Sequence, residues 1–78
     1  MNIRGLIWYA DIIEKLDAKH QVQPDEVREV LENNPRFSFV EKGPRRGENV
    51  YSASGTTLEG RYLIVFFIHK IDKRALIL

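Results

Sequence analysis

Arg61-Tyr62-Leu63-Ile64-Val65-Phe66-Phe67-Ile68-His69 is the stretch on which the fold of this chain turns. Tyr62 to Ile68 is an unbroken apolar run of β-branched and aromatic residues. A run of that length and type is a strand, too short and too β-rich for a core helix. With no polar alternation it predicts a central strand buried on both faces. Ile71-Asp72-Lys73 then turns the chain, and Ala75 to Leu78 predicts a final strand.

Upstream, the period of two continues. Phe37 and Phe39 share a face that extends to Glu41, and Ser38 and Val40 take the other. Gly43-Pro44-Arg45-Arg46-Gly47 predicts a loop, and Val50 to Ser54 a strand with Tyr51 and Ala53 on one face. Before Pro35 the period is helical. Pro24 suits the first turn of a helix, Asp25 and Glu26 favour its positive end, and Val27, Val30 and Leu31 form its stripe. Asn33-Asn34-Pro35 stops it. An earlier helix carries Tyr9, Ile12, Ile13 and Leu16, opens on a capping-box pattern at Asp11 and Glu14, and ends near Lys19-His20. Ile3 to Tyr9 predicts a first strand. The order is one strand, two helices and a four-strand meander. That is an α+β fold, with two helices packed on an antiparallel β-sheet of four to five strands in a two-layer sandwich.

With 78 residues the chain is read as a single domain, 1–78, with a small core. Its net charge of +1 hides an asymmetry. Residues 1–40 carry five basic and seven acidic side chains; residues 41–78 carry seven basic and four acidic. The basic half is the meander, which points to an anionic partner. There is no cysteine, hence no disulfide framework or thiolate metal site. No run approaches the roughly 20 apolar residues of a membrane helix, and the first residues lack a signal-peptide pattern. The expected location is cytoplasmic, with no membrane partner.

Four groups of residues could carry chemistry. Arg45 and Arg46, in a glycine-rimmed loop, could grip phosphates; the plainer reading is a solvated turn. Arg61 and Tyr51 are expected near one end of the sheet. There a guanidinium could stabilise phosphate charge and a phenol could move a proton; the plainer reading is an arginine stem against a ring. His20 and His69 could each titrate near neutral pH, but their spacing matches no metal motif. His20 at a helix C-terminus is also explained by the dipole. Trp8, Phe37, Phe39, Phe66 and Phe67 could stack on bases, although most are needed in so small a core.

The ordered phrases Ile7-Trp8-Tyr9, Lys19-His20, Val22, Pro24-Asp25-Glu26-Val27, Val30-Leu31, Asn34-Pro35-Arg36-Phe37, Tyr51-Ser52-Ala53-Ser54-Gly55 and Gly60-Arg61-Tyr62-Leu63-Ile64-Val65-Phe66-Phe67 run through nearly the whole chain. In that order they resemble the BrnT family of bacterial type II toxins. The resemblance implies a RelE-like fold and a ribonuclease that blocks translation. It implies neutralisation by a BrnA-like ribbon-helix-helix antitoxin that links the pair to operator DNA. The implied chemistry needs no metal or other cofactor: the RNA 2′-hydroxyl attacks its own phosphate, helped by acid–base groups and arginines. Lys19-His20 and Arg61 match the family's positions; with Tyr51 they form the expected catalytic set. Arg45, Arg46, Lys70 and Arg74 form the expected RNA-binding set. Arg74 lies near the basic position before the last strand. Family members usually continue past that strand with a Ser-Ala-Arg-like phrase and a charged helix, whereas this sequence reaches Leu78 before either. That departure sets a second expectation beside the first, of a catalytically impaired toxin acting as an antitoxin-binding co-repressor module, and it favours a homodimer. A third expectation is a small basic nucleic-acid-binding domain.

Overall fold

The computed structural model describes residues 1–78. Its elements are β1 (Gly5–Ile7), α1 (Ala10–His20), α2 (Pro24–Glu32), β2 (Arg36–Arg45), β3 (Glu48–Thr56), β4 (Tyr62–His69) and β5 (Arg74–Ile77). The five strands form one sheet in the order β1-β5-β4-β3-β2. β2, β3, β4 and β5 pair antiparallel, as short sequential connections require. β1 lies beside β5 in parallel, because the two helices intervene between β1 and the meander and carry the chain back to the same end. The sheet is therefore mixed rather than wholly antiparallel, within an α+β fold.

The helices cover one face. Val22, Val27 and Val30 are buried there against Ala53, Val65, Phe67, Ala75 and Ile77. Phe67 is fully buried and meets Phe37 edge-on, with ring centroids 6.1 Å apart. α2 is the well-seated helix. α1 buries no residue fully, and its apolar stripe of Ile12, Ile13 and Leu16 is only half-buried.

Helix ends differ from the sequence expectation in one respect. α1 begins at Ala10 with Tyr9 at its N-cap, and no side chain caps it, so Asp11 and Glu14 do not form a capping box. The reach-back contact belongs to α2, where the Glu26 carboxylate accepts a hydrogen bond from the Gln23 amide at 3.1 Å. α1 ends as expected at His20. Gln21 takes a left-handed conformation, φ 52°, and the Val22 amide donates to the Leu16 carbonyl at 3.1 Å.

Two strand expectations are corrected. β2 does not end in a five-residue loop: it runs through Gly43 and Pro44 to Arg45, leaving a two-residue turn of Arg46 and Gly47. Gly47 has φ +80°, which glycine adopts without strain. The extra residues are absorbed by register shifts between Phe39 and Glu41 and between Glu41 and Arg45. The first shift moves Glu41 opposite Val50, off the face shared by Phe37 and Phe39. Gly43 is needed here, since a Cβ would lie 1.8 Å from the Glu48 carbonyl oxygen.

β4 is the second correction. It is central, between β3 and β5, but its outward face is buried only at Ile68. Val65 and Phe67 point under the helices, whereas Tyr62, Ile64 and Phe66 are exposed on the opposite face. That face lies beside the hydroxyls of Ser52, Ser54 and Thr56, the β3 partners of Phe66, Ile64 and Tyr62. No helix is long and apolar enough to cross a membrane.

Candidate functional site

At the α1–α2 corner, Arg61 stands at the entry to β4 and reaches across both helices. Its guanidinium donates to the carbonyls of His20 and Gln21, each at 2.7 Å, and to both carboxylate oxygens of Glu26 at 3.3 Å. Its main-chain amide donates to the Thr57 hydroxyl at 3.1 Å. The last carbonyls of a helix lack partners within it, and a cation there also meets the negative end of the dipole. Arg61 thus holds the end of α1, the left-handed Gln21 and the start of α2 on the sheet.

Lys19 and His20 lie beside this staple, exposed in the last turn of α1. Neither side chain forms an ion pair or a hydrogen bond. A cleft of about 530 Å³ opens beside His20, walled by Ile12, Leu16, Val22, Val65 and Leu78, with Lys15, His20 and Arg61 at its rim; Lys19 does not line it. No Asp or Glu side chain lines it. Two cations, Lys15 and Arg61, and the His20 ring therefore surround an apolar cleft, and Arg61 is already paired with Glu26.

Tyr51 is elsewhere. The β3–β4 register sets it opposite Phe67, six residues along β4 from Arg61, which is about 20 Å. The two residues do not meet at one end of the sheet, as the hairpin was expected to bring them, because β3 continues to Thr56 before the chain turns. Tyr51 stacks on Phe67 with centroids 6.2 Å apart and meets Phe39 and His69 edge-on at 5.9 and 6.2 Å. The His69 ring nitrogen Nε2 donates to the Asn2 carbonyl at 3.0 Å, tying the N-terminal segment to β4. The catalytic set expected from sequence is thus divided: Lys19, His20 and Arg61 form one corner, and Tyr51 belongs to an aromatic cluster with His69.

The basic residues of the meander also separate. Arg45 and Arg46 are exposed at the β2–β3 hairpin with no carboxylate partner. Lys70 is engaged: its Nζ donates to the Glu48 carboxylate at 2.9 Å, and the Ile71 amide donates to the other Glu48 oxygen at 3.1 Å. These bonds hold the Glu48 carboxyl below its ordinary range, the Lys70 contact contributing most. Arg74 pairs with Asp72 at 2.7 Å. The Asp72 carboxyl is lowered first by the Arg74 amide and then by the Arg74 side chain. Among the aromatics considered for stacking, Phe67 is core, Phe37 and Trp8 are half-buried, and Phe66 and Phe39 are 46% and 58% exposed.

No family model, curated protein or solved structure matches this chain.

The sequence reading missed two features of the site. The first is that Arg61 is occupied by backbone carbonyls, which no local pattern reveals, since its partners lie 40 and 41 positions away. The second is the cleft beside β4. Its walls come from α1, α2 and β4, elements far apart in sequence, so no local pattern reveals it.

Proposed function

We propose that this chain is a ribonuclease toxin of the BrnT kind, cleaving RNA in a bacterial type II toxin–antitoxin system and neutralised by a BrnA-like antitoxin. The observation that carries the reading is the Lys19–His20 pair at the end of α1. The unpaired His20 ring stands at the mouth of a cleft that Lys15 and Arg61 also rim and that no Asp or Glu side chain lines, and the Lys19 ammonium, next along the helix, is unpaired too. His20 can take or return the proton when a 2′-hydroxyl attacks the neighbouring phosphorus and the 5′-oxygen leaves. Lys19 can offset the charge that builds on the phosphate oxygens. In this reading Arg61 is a positioning residue, because its donors are spent on His20, Gln21 and Glu26. Arg45 and Arg46 would hold the RNA backbone through exposed guanidinium groups.

A second reading is a non-catalytic module that binds the antitoxin and acts as co-repressor. It is favoured by the engagement of Arg61, which leaves no free arginine in the corner.

The test is cleavage of total RNA in EDTA by the wild-type protein, by His20→Ala and by Lys19→Ala. Neither side chain makes a contact that the fold needs, so both variants should stay folded. The catalytic reading expects His20→Ala to slow cleavage by about 10²-fold or more. Equal cleavage by wild type and His20→Ala rules out His20 as the proton carrier. Absence of cleavage by the wild type supports the binding module instead.

A further inference from the structure

β2 is the long edge strand of the sheet, ten residues from the middle of the chain. The direction of its main-chain groups follows from the hydrogen bonds across the sheet. The Phe66 carbonyl accepts from the Leu78 amide, so the main chain of Phe66 faces β5 and that of Phe67 faces β3. These groups alternate along an antiparallel strand, so those of Tyr51 face β4 and those of Ser52 and Ser54 face β2. Their partners Ser38 and Arg36 face back to β3, which leaves the amides and carbonyls of Phe37 and Phe39 pointing away from the sheet. The side chains are arranged about the same point. Phe37 and Phe39 lie on the helix face, where Phe39 is exposed. On the other face Arg36 stands two positions before Ser38, opposite Ser54. The bulge at Val40 sets Glu41 opposite Val50, two positions after Ser38 along the partner strand. Neither Arg36 nor Glu41 has an ion-pair partner.

We propose that two copies of this chain pair through β2, antiparallel about a two-fold axis at Ser38, and join their five-stranded sheets into one. An axis at Ser38 brings Phe37 of each copy opposite Phe39 of the other. All the outward main-chain groups are then paired, in about four hydrogen bonds. An axis at Phe37 would set Phe39 against Pro35, which has no amide to donate, and an axis at Phe39 would set Phe37 against the bulge. The Ser38 register also places the Phe37 ring beside the Phe39 ring of the other copy, covering an exposed aromatic. On the outer face it puts Arg36 of each copy opposite Glu41 of the other. Without the bulge, Val40 would stand in that place.

Opposite charges at equal distances on either side of one residue are a self-complementary pattern. An isologous interface requires that pattern, and a strand from an unrelated protein does not. The other edge strand, β1, is three residues long and carries no charged side chain. Lys19 and His20 take no part in the pairing, so the proposal goes beyond the ribonuclease reading and does not depend on it.

The test is sedimentation of the 78-residue protein at concentrations from about 1 μM to about 1 mM, the range in which so small an interface should dissociate. Arg36→Glu and Glu41→Arg each set like charges against one another at both ends of the paired strands. Each should weaken the dimer about tenfold. The double variant restores opposite charges and should return close to the wild-type affinity. Both side chains are exposed and unpaired in the single chain, so the variants should keep their fold, which circular dichroism checks. In the wild-type protein the Phe37 and Phe39 amides should exchange with solvent more slowly at high concentration than at low. That measurement decides the matter alone if a variant fails to fold. A monomer throughout, single reversals without effect, a double variant no tighter than the singles, or unprotected Phe37 and Phe39 amides in the dimer each overturn the proposal. No RNA is present, so failure here leaves the ribonuclease reading standing.

Discussion

The two ends of β4 differ although they belong to one apolar run. At the His69 end the strand is flanked by β3 and β5, Phe67 is fully buried, and the Glu48–Lys70 pair closes the sheet beside the following turn. At the Tyr62 end its outward side chains are exposed, and the Arg61 staple joins it to the ends of both helices. Hydrophobic sequence alone does not bury a strand. Burial needs a layer on each face, and here the helices cover only one.

The sharpest break of this comparison is a matched pair of truncations. Phe67→Ala should destabilise the fold by about 3–5 kcal/mol, since it leaves a cavity in a closed core. Ile64→Ala, three residues away on the open face, should change stability by less than about 1 kcal/mol. Urea unfolding followed by tryptophan fluorescence measures both. Similar losses would mean that the Tyr62 end is covered in solution.

Arg61→Ala should have an intermediate effect, about 1–2 kcal/mol, because two helix-end carbonyls lose their donor while the exposed side of the guanidinium contributes little. Hydrogen exchange should locate the change, with the last turn of α1 opening faster and β4 near Phe67 unaffected. A uniform increase would show that Arg61 supports the whole fold rather than the open corner.

The smallest effect belongs to the closed end and depends on pH. Glu48 is more acidic in the folded protein than its ordinary value of 4.5, owing to the Lys70 contact and the Ile71 amide. Its contribution is therefore complete above that value and is lost as pH falls through the lower, folded one. Glu48→Gln should flatten the acid side of the stability–pH curve and leave its neutral side nearly parallel to wild type. An unchanged acid limb would assign acid sensitivity elsewhere, with Asp72 next, since its carboxyl is lowered in the same direction.

Much of the architecture was legible before any coordinates. Pro24, the Val27-Val30-Leu31 stripe and Asn33-Asn34-Pro35 mark α2 almost to the residue, because local steric and hydrogen-bonding limits set helix ends. Lys19-His20 marks the end of α1 for the same kind of reason. Less legible was the β2–β3 hairpin. Gly43 and Pro44 look like a turn, yet they lie in a strand whose bulges were invisible until the register with β3 was known. The candidate site was half legible. Lys19, His20, Arg61 and Tyr51 could all be named from the sequence, but not that the first three share one corner while Tyr51 lies elsewhere, because that depends on how long β3 runs.

The sequence by itself determined the elements, their order and the uneven distribution of charge. Periodicity, proline and glycine act over a few residues, so these can be read along the chain. Only the tertiary structure decided that β1 enters the sheet in parallel, that Arg61 is spent on the ends of two helices, and that the most apolar strand exposes Tyr62, Ile64 and Phe66. Each of those depends on contacts between residues far apart in sequence. Packing and strand length settle such contacts, and no local pattern encodes them.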